Sequence, residues 1–138
     1  MGIVKKLGVV LAALALVLVA SPAHAGSPHF IKSAFVVTVD GDTLTVSGKE
    51  AGLGSETQVH IELVAEASCI NGGGKNPKAV NKDSFSADGD FPVQNGKADF
   101  TLSVTATFQP SCSPPMTVEW TKITVTDTEH DVSASLRL

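Results

Sequence analysis

Residues 57–69 read TQVHIELVAEASC, and their alternation decides the fold class. Val59, Ile61, Leu63, Ala65, Ala67 and Cys69 share one parity, whereas His60, Glu62, Val64 and Glu66 share the other. An extended chain projects successive side chains to opposite faces, so this segment reads as a strand buried on one side. The same parity aims Cys69 at the core. That suits an inter-sheet staple better than a reactive surface thiol.

On the amino-terminal side, residues 48–54 (GKEAGLG) read as a loop, with Gly52 and Gly54 supplying backbone freedom. Before them, residues 33–48 read SAFVVTVDGDTLTVSG. Asp40-Gly41 is a two-residue hairpin signal between alternating segments. With those two at the turn, Val39 meets Asp42, Val37 meets Leu44, Phe35 meets Val46 and Thr38 meets Thr43.

On the carboxyl-terminal side, residues 69–81 read CINGGGKNPKAVN. Three consecutive glycines exclude regular structure, and Pro77 disfavours helical geometry at Asn76. The spacing therefore predicts a long loop over 70–83. Such a loop in a small domain is often functional or tethered. Ser84 to Ser86 form a short edge strand, followed by an Asp88-Gly89-Asp90 turn. Residues 91–108 (FPVQNGKADFTLSVTATF) form a second hairpin around Asn95-Gly96, pairing Gln94 with Lys97, Val93 with Ala98 and Phe91 with Phe100. Pro92 cannot donate to a ladder and marks an edge. Three prolines between Gln109 and Pro115 stiffen the chain around Cys112.

Met116, Val118 and Trp120 alternate in one phase, and Ile123 and Val125 in the other. A β-bulge near Thr121-Lys122 reconciles them. Trp120 thereby takes a core position. Asp127 to Asp131 (DTEHD) is a polar turn, and Val132, Ala134, Leu136 and Leu138 form a closing strand. Seven or eight short strands with regular turn signals predict an all-β chain. The expected architecture is an antiparallel two-sheet, immunoglobulin-like β-sandwich with one disulfide, and a small barrel is the alternative.

The amino-terminal residues 1–25 read as a cleaved secretory signal peptide. Lys5 and Lys6 precede a fourteen-residue apolar run from Leu7 to Ala20, and Ala23-His24-Ala25 offers a cleavage site. As a helix the run covers about 21 Å, short of a hydrocarbon core of roughly 30 Å. Residues 26–138 are then a single exported domain with no membrane anchor. Loss of Lys5 and Lys6 takes the formal charge from −4 to −6. That argues against nucleic acid or anionic lipid as partners, since both need a basic footprint. The only two cysteines, Cys69 and Cys112, imply one disulfide.

No nucleophile elbow and no metalloprotease motif occurs, so no catalytic residues are assigned and a non-enzyme is expected. His29, His60 and His130 do not pair at a ligand spacing on one element, and no metal or other cofactor is expected. The best oxygen-rich cluster is Asp127, Glu129, His130 and Asp131, read as a solvated turn in the absence of a glycine-punctuated calcium loop. The candidate recognition loop comprises Asn71, Gly72, Gly73, Gly74, Lys75, Asn76 and Asn81, offering amides and glycine backbone to an extracellular protein or surface partner. Its bland reading is a surface connection.

Two resemblances follow. The pattern C-x-N-x-G-G-x-x-P-x-x-x-N (Cys69, Asn71, Gly73, Gly74, Pro77, Asn81), with an Asn-Gly hairpin after it, resembles a group of small secreted proteins of actinobacteria and filamentous fungi. That likeness implies export and lends no mechanism. Here Cys112 is followed by SPPMTVEW, whereas the group has a proline-asparagine-tryptophan segment. More distantly, the mature length and early strands resemble the neocarzinostatin-type apoproteins, which carry enediyne chromophores in a seven-strand sandwich. Those have two disulfides closing short loops, so the likeness is one of fold alone. The expected role is a secreted, non-catalytic sandwich acting by surface recognition or as an envelope component. The alternatives are a carrier of a small apolar ligand between the sheets and a hydrolase with an unrecognised site. A carrier requires a cavity lined by the apolar parities above; a hydrolase requires a base and nucleophile within about 3 Å.

Overall fold

The alternating segments become eight strands in a computed structural model that describes residues 27–71 and 79–138. In chain order they are β1 (His29–Phe30), β2 (Val36–Asp40), β3 (Thr43–Ala51), β4 (Gln58–Asn71), β5 (Ala79–Pro92), β6 (Ala98–Thr105), β7 (Met116–Asp127) and β8 (Val132–Leu136). A 3-10 turn over Lys32–Ala34 links β1 to β2. In one sheet β3 pairs with β1 and β2 on one side and with β6 on the other; the second runs β5-β4-β7-β8. All pairings are antiparallel. The two sheets bury their facing sides as an all-β sandwich.

Strand β4 is the centre of the second sheet. Val59, Ile61, Leu63, Ala65, Ala67 and Cys69 are all at most 1% exposed, so the predicted parity holds along its whole length. Burying each of its larger aliphatic side chains contributes about 1.5–3 kcal/mol. From the facing sheet come Leu44, Val46, Phe100, Leu102 and Val104. Phe30, Phe35 and Phe91 each contact Phe100, with ring centroids 5.8–6.2 Å apart. Gly48 lies beneath these rings. A Cβ there would stand 2.6 Å from Phe100 Cζ, which is why this inward position carries no side chain. At the other end Phe85 packs edge-on against Phe108 and Trp120.

Several expectations hold in detail. Cys69 and Cys112 are bonded, tying the connection between β6 and β7 to the second sheet. The register between β4 and β7 shifts where Glu66 meets Lys122 and Ala67 meets Trp120, leaving Thr121 as the extra residue of a bulge. Trp120 is 6% exposed and belongs to the core. Pro92 ends β5, an edge strand.

Other expectations are corrected. The first hairpin turns at Gly41-Asp42, so that Asp40 meets Thr43, Val39 meets Leu44 and Val37 meets Val46. Gly41 adopts φ +60°, and a hairpin turn with glycine first needs left-handed backbone only at that residue. A turn at Asp40-Gly41 would have forced Asp40 into that region instead. The loop after β3 begins only at Gly52, because Gly48 to Ala51 continue the strand.

Asn95-Gly96 does form a tight turn, with φ +53° and +72° and Gln94 bridged to Lys97. Beyond that bridge the chain changes sheet: β5 pairs with β4, and β6 with β3. Phe91 and Phe100 therefore meet across the sandwich, and Val93 N–H donates to Thr57 O rather than pairing Ala98. Residues 84–90 are neither a short strand nor a turn. They lie inside the fourteen-residue β5, where Gly89 pairs with Ile61. The closing strand ends at Leu136, and Leu138 is 69% exposed.

Candidate functional site

Along one flank the edge strands β1 and β2 of one sheet face β8 of the other. A cleft of about 800 Å³ runs there. Phe30, Phe35 and Val37 line one wall; Val132, Ala134 and Leu136 line the other. Lys32 and Arg137 add charge, and His29, Ser133 and Ser135 further polar groups. The walls come from strand alternation itself. Val132, Ala134 and Leu136 share the inward parity of β8, and Val37 has that of β2. The volume lies within the usual range for small-molecule sites, roughly 300–1,000 Å³.

A second constellation closes one end of the sandwich. Glu50 and Asp127 are both fully buried. Asp127 Oδ1 accepts the backbone N–H groups of Glu129 (2.9 Å) and His130 (3.1 Å), and its Oδ2 lies 2.6 Å from His130 Nδ1. His130 Nε2 lies 2.9 Å from Glu56 Oε1. As a carboxylate Glu50 has no donor at either oxygen. As a carboxylic acid it can donate to Asp127, and burial, followed by that hydrogen bond, pushes its pKa up to about 9. Burial alone would raise Asp127 as well. Hydrogen bonds from Glu50, the His130 ring and the two backbone N–H groups outweigh it and hold Asp127 below its ordinary value. Burial works to lower His130, but Asp127 and Glu56 leave it raised.

The expected turn is found over 128–131, but Asp127 is corrected from solvated turn to buried strand end. Asp127 is buried because β7 continues through it on the inward parity of Ile123 and Val125. Of the weak metal candidates, Asp127 is central, and Glu129 faces Glu56 and His130 at the rim. Asp131 is exposed at φ +54° and belongs to neither cluster. Glu50 and Glu56 were not expected. Glu50 continues the inward parity of Leu44 and Val46, which was the signal for it.

No known protein family, curated protein or solved structure matches the chain.

A third polar group sits outside the sheet. His60 on β4 lies between Asp88 and Asp90 of β5, with Nε2 and Nδ1 each 2.8 Å from a carboxylate oxygen. Asp90 first, then Asp88, raise its pKa. Of the predicted recognition loop, Asn71 ends β4 and Asn81 pairs with Cys69 inside β5, so both belong to strands. Gly72, Gly73, Gly74, Lys75 and Asn76 lie outside the described residues.

Proposed function

We propose that this chain is an exported, non-catalytic binding protein that holds a small, largely apolar ligand in the cleft between β1–β2 and β8. The observation that carries this reading is the cleft itself, whose two walls include the apolar parities of Phe35–Val37 and Val132–Leu136. A cavity so lined is what a carrier requires and what a protein acting by surface contact alone does not. Export is supported by the apolar leader pattern of residues 1–25 and by the bonded cysteine pair. The immunoglobulin-like reading of the sandwich belongs to the same proposal.

The non-catalytic part is supported by where the imidazoles point. His60 and His130 direct both ring nitrogens at carboxylates, and His29 Nδ1 directs its proton at Ser27 O. A hydrolase base instead faces a hydroxyl or thiol nucleophile.

Titration with a neutral apolar fluorophore tests the reading. We expect saturable one-site binding with a Kd in the micromolar range, and at least about tenfold weaker binding in Ala134→Arg, which plants a charge in one wall. Circular dichroism confirms that the variant remains folded. No saturable binding, or equal binding by the folded variant, sinks the carrier reading.

A further inference from the structure

Glu50 is the unusual residue of this molecule: fully buried, and as a carboxylate without a donor at either oxygen, so that only a proton shared with Asp127 or a cation can satisfy it. An orphaned buried carboxylate is strongly unfavourable unless something positive or protic reaches it. Two further ligand types stand beside it. One oxygen of Glu50, one of Asp127 and one ring nitrogen of His130 all lie within 4.8 Å of one another. The structure assigns these three side chains to a binding site for a divalent transition cation of the zinc class.

Three features beyond proximity support the assignment. The donor set of two carboxylate oxygens and one imidazole nitrogen suits zinc, whereas calcium takes six to eight oxygens. Asp127 is pre-positioned, because two backbone N–H groups hold Oδ1 and leave Oδ2 turned toward His130. Glu56 lies on the far nitrogen of His130, 2.9 Å away. The cation displaces the protons held by Glu50 and by His130 Nδ1; the proton that stays on Nε2 is donated to Glu56, and Nδ1 becomes a lone-pair donor facing Glu50 and Asp127. That is the carboxylate–histidine–metal arrangement in which an outer carboxylate fixes the tautomer and orientation of a ligand imidazole. In a tetrahedral zinc site donor atoms stand roughly 3.3–3.6 Å apart, so binding requires Asp127 Oδ2 and His130 Nδ1, now 2.6 Å apart, to open by about 1 Å and the widest separation to close by no more than about 1.5 Å.

The site lies at the end of the sandwich beside the cleft, since Phe30 pairs with Glu50 and Val132 with Asp127 across their strands. It does not depend on the carrier reading. A cation joining β3 to β7 would staple the two sheets at the end remote from the disulfide.

The test uses the full, disulfide-intact chain, stripped with chelator and titrated with Co²⁺ and Zn²⁺. We expect one equivalent of Co²⁺ with the strong visible bands of a four-coordinate ion, displaced by Zn²⁺, and a shift of the His130 ring resonances. Glu50→Gln fills the same volume and keeps a donor toward Asp127, and is expected to weaken Zn²⁺ binding at least about 100-fold. Glu56→Gln is expected to weaken it about 10- to 100-fold, and Asp131→Asn to leave it unchanged. Absence of the bands, equal binding by Glu50→Gln, or preference for Ca²⁺ overturns the assignment. Should Glu50→Gln not fold, the His130 resonances of the unaltered protein decide: unmoved by Zn²⁺, they show that the cluster holds only a proton.

Discussion

His60 shows what a strand face can do with charge. It sits between Asp88 and Asp90, which flank Gly89 on the neighbouring strand, and the two carboxylates raise its pKa above the ordinary value. A raised pKa means the folded state binds the proton more tightly than the unfolded chain. The stabilisation is then fully present below the unfolded value of about 6.5 and is lost as pH rises through the folded one. Melting temperatures of the parent and of His60→Gln, compared at about pH 5.5 and about pH 8.5, isolate this residue from His130, which titrates in both. The parent should lose more stability than the variant between the two conditions. Equal losses would show that the exposed clamp is screened to nothing. The clamp was hidden at the level of sequence because Asp88-Gly89-Asp90 has the composition of a turn. Pairing with β4 overrode that local preference, and Gly89 is accommodated where a Cβ would meet Phe91 at 3.3 Å.

At the scale of the element, β7 is the informative strand. Its alternation changes phase at Thr121, yet Trp120 stays opposite Ala67 and Ile123 opposite Ala65. Thr121 is the residue left over, and its hydroxyl donates to Glu66 O at 3.4 Å. Deleting Thr121 should leave every core pairing intact and cost at most about 1.5 kcal/mol, the value of one hydrogen bond. Deleting Thr124, outside the bulge, turns Val125 and Asp127 outward and should abolish cooperative unfolding. Val125 alone contributes about 1.5–3 kcal/mol on burial, in a domain whose whole stability is about 5–15 kcal/mol. Thermal melts of the two deletions check this. Equal damage from both would mean that the bulge is required by the fold rather than tolerated by it.

The whole molecule is two sheets held by a common core, an aromatic cluster and one covalent tie. The Cys69–Cys112 bond closes a long loop, and the sequence separation of 43 gives a chain-entropy stabilisation of about 4 kcal/mol. Replacing both cysteines with alanine should lower the unfolding free energy by roughly that amount, read from the urea midpoint at constant slope. An unchanged midpoint would show that the unfolded chain is already compact around the tie. Strand parities, the bulge, the burial of Trp120, the disulfide and the all-β class were all legible along the chain. These follow from alternation along a single segment and from there being only two cysteines to join. The sequence held part of the site too, since Glu50 continues the parity of Leu44 and Val46, and Asp127 that of Ile123 and Val125. What those inward acids meet was decided only by the tertiary structure. So were the change of sheet at Asn95-Gly96 and the opening of a cleft between β2 and β8. Each depends on how two sheets stack and on which edges remain unjoined. No local pattern encodes that, because the contacting residues lie on strands far apart in the chain and their pairing emerges only when the common core is buried.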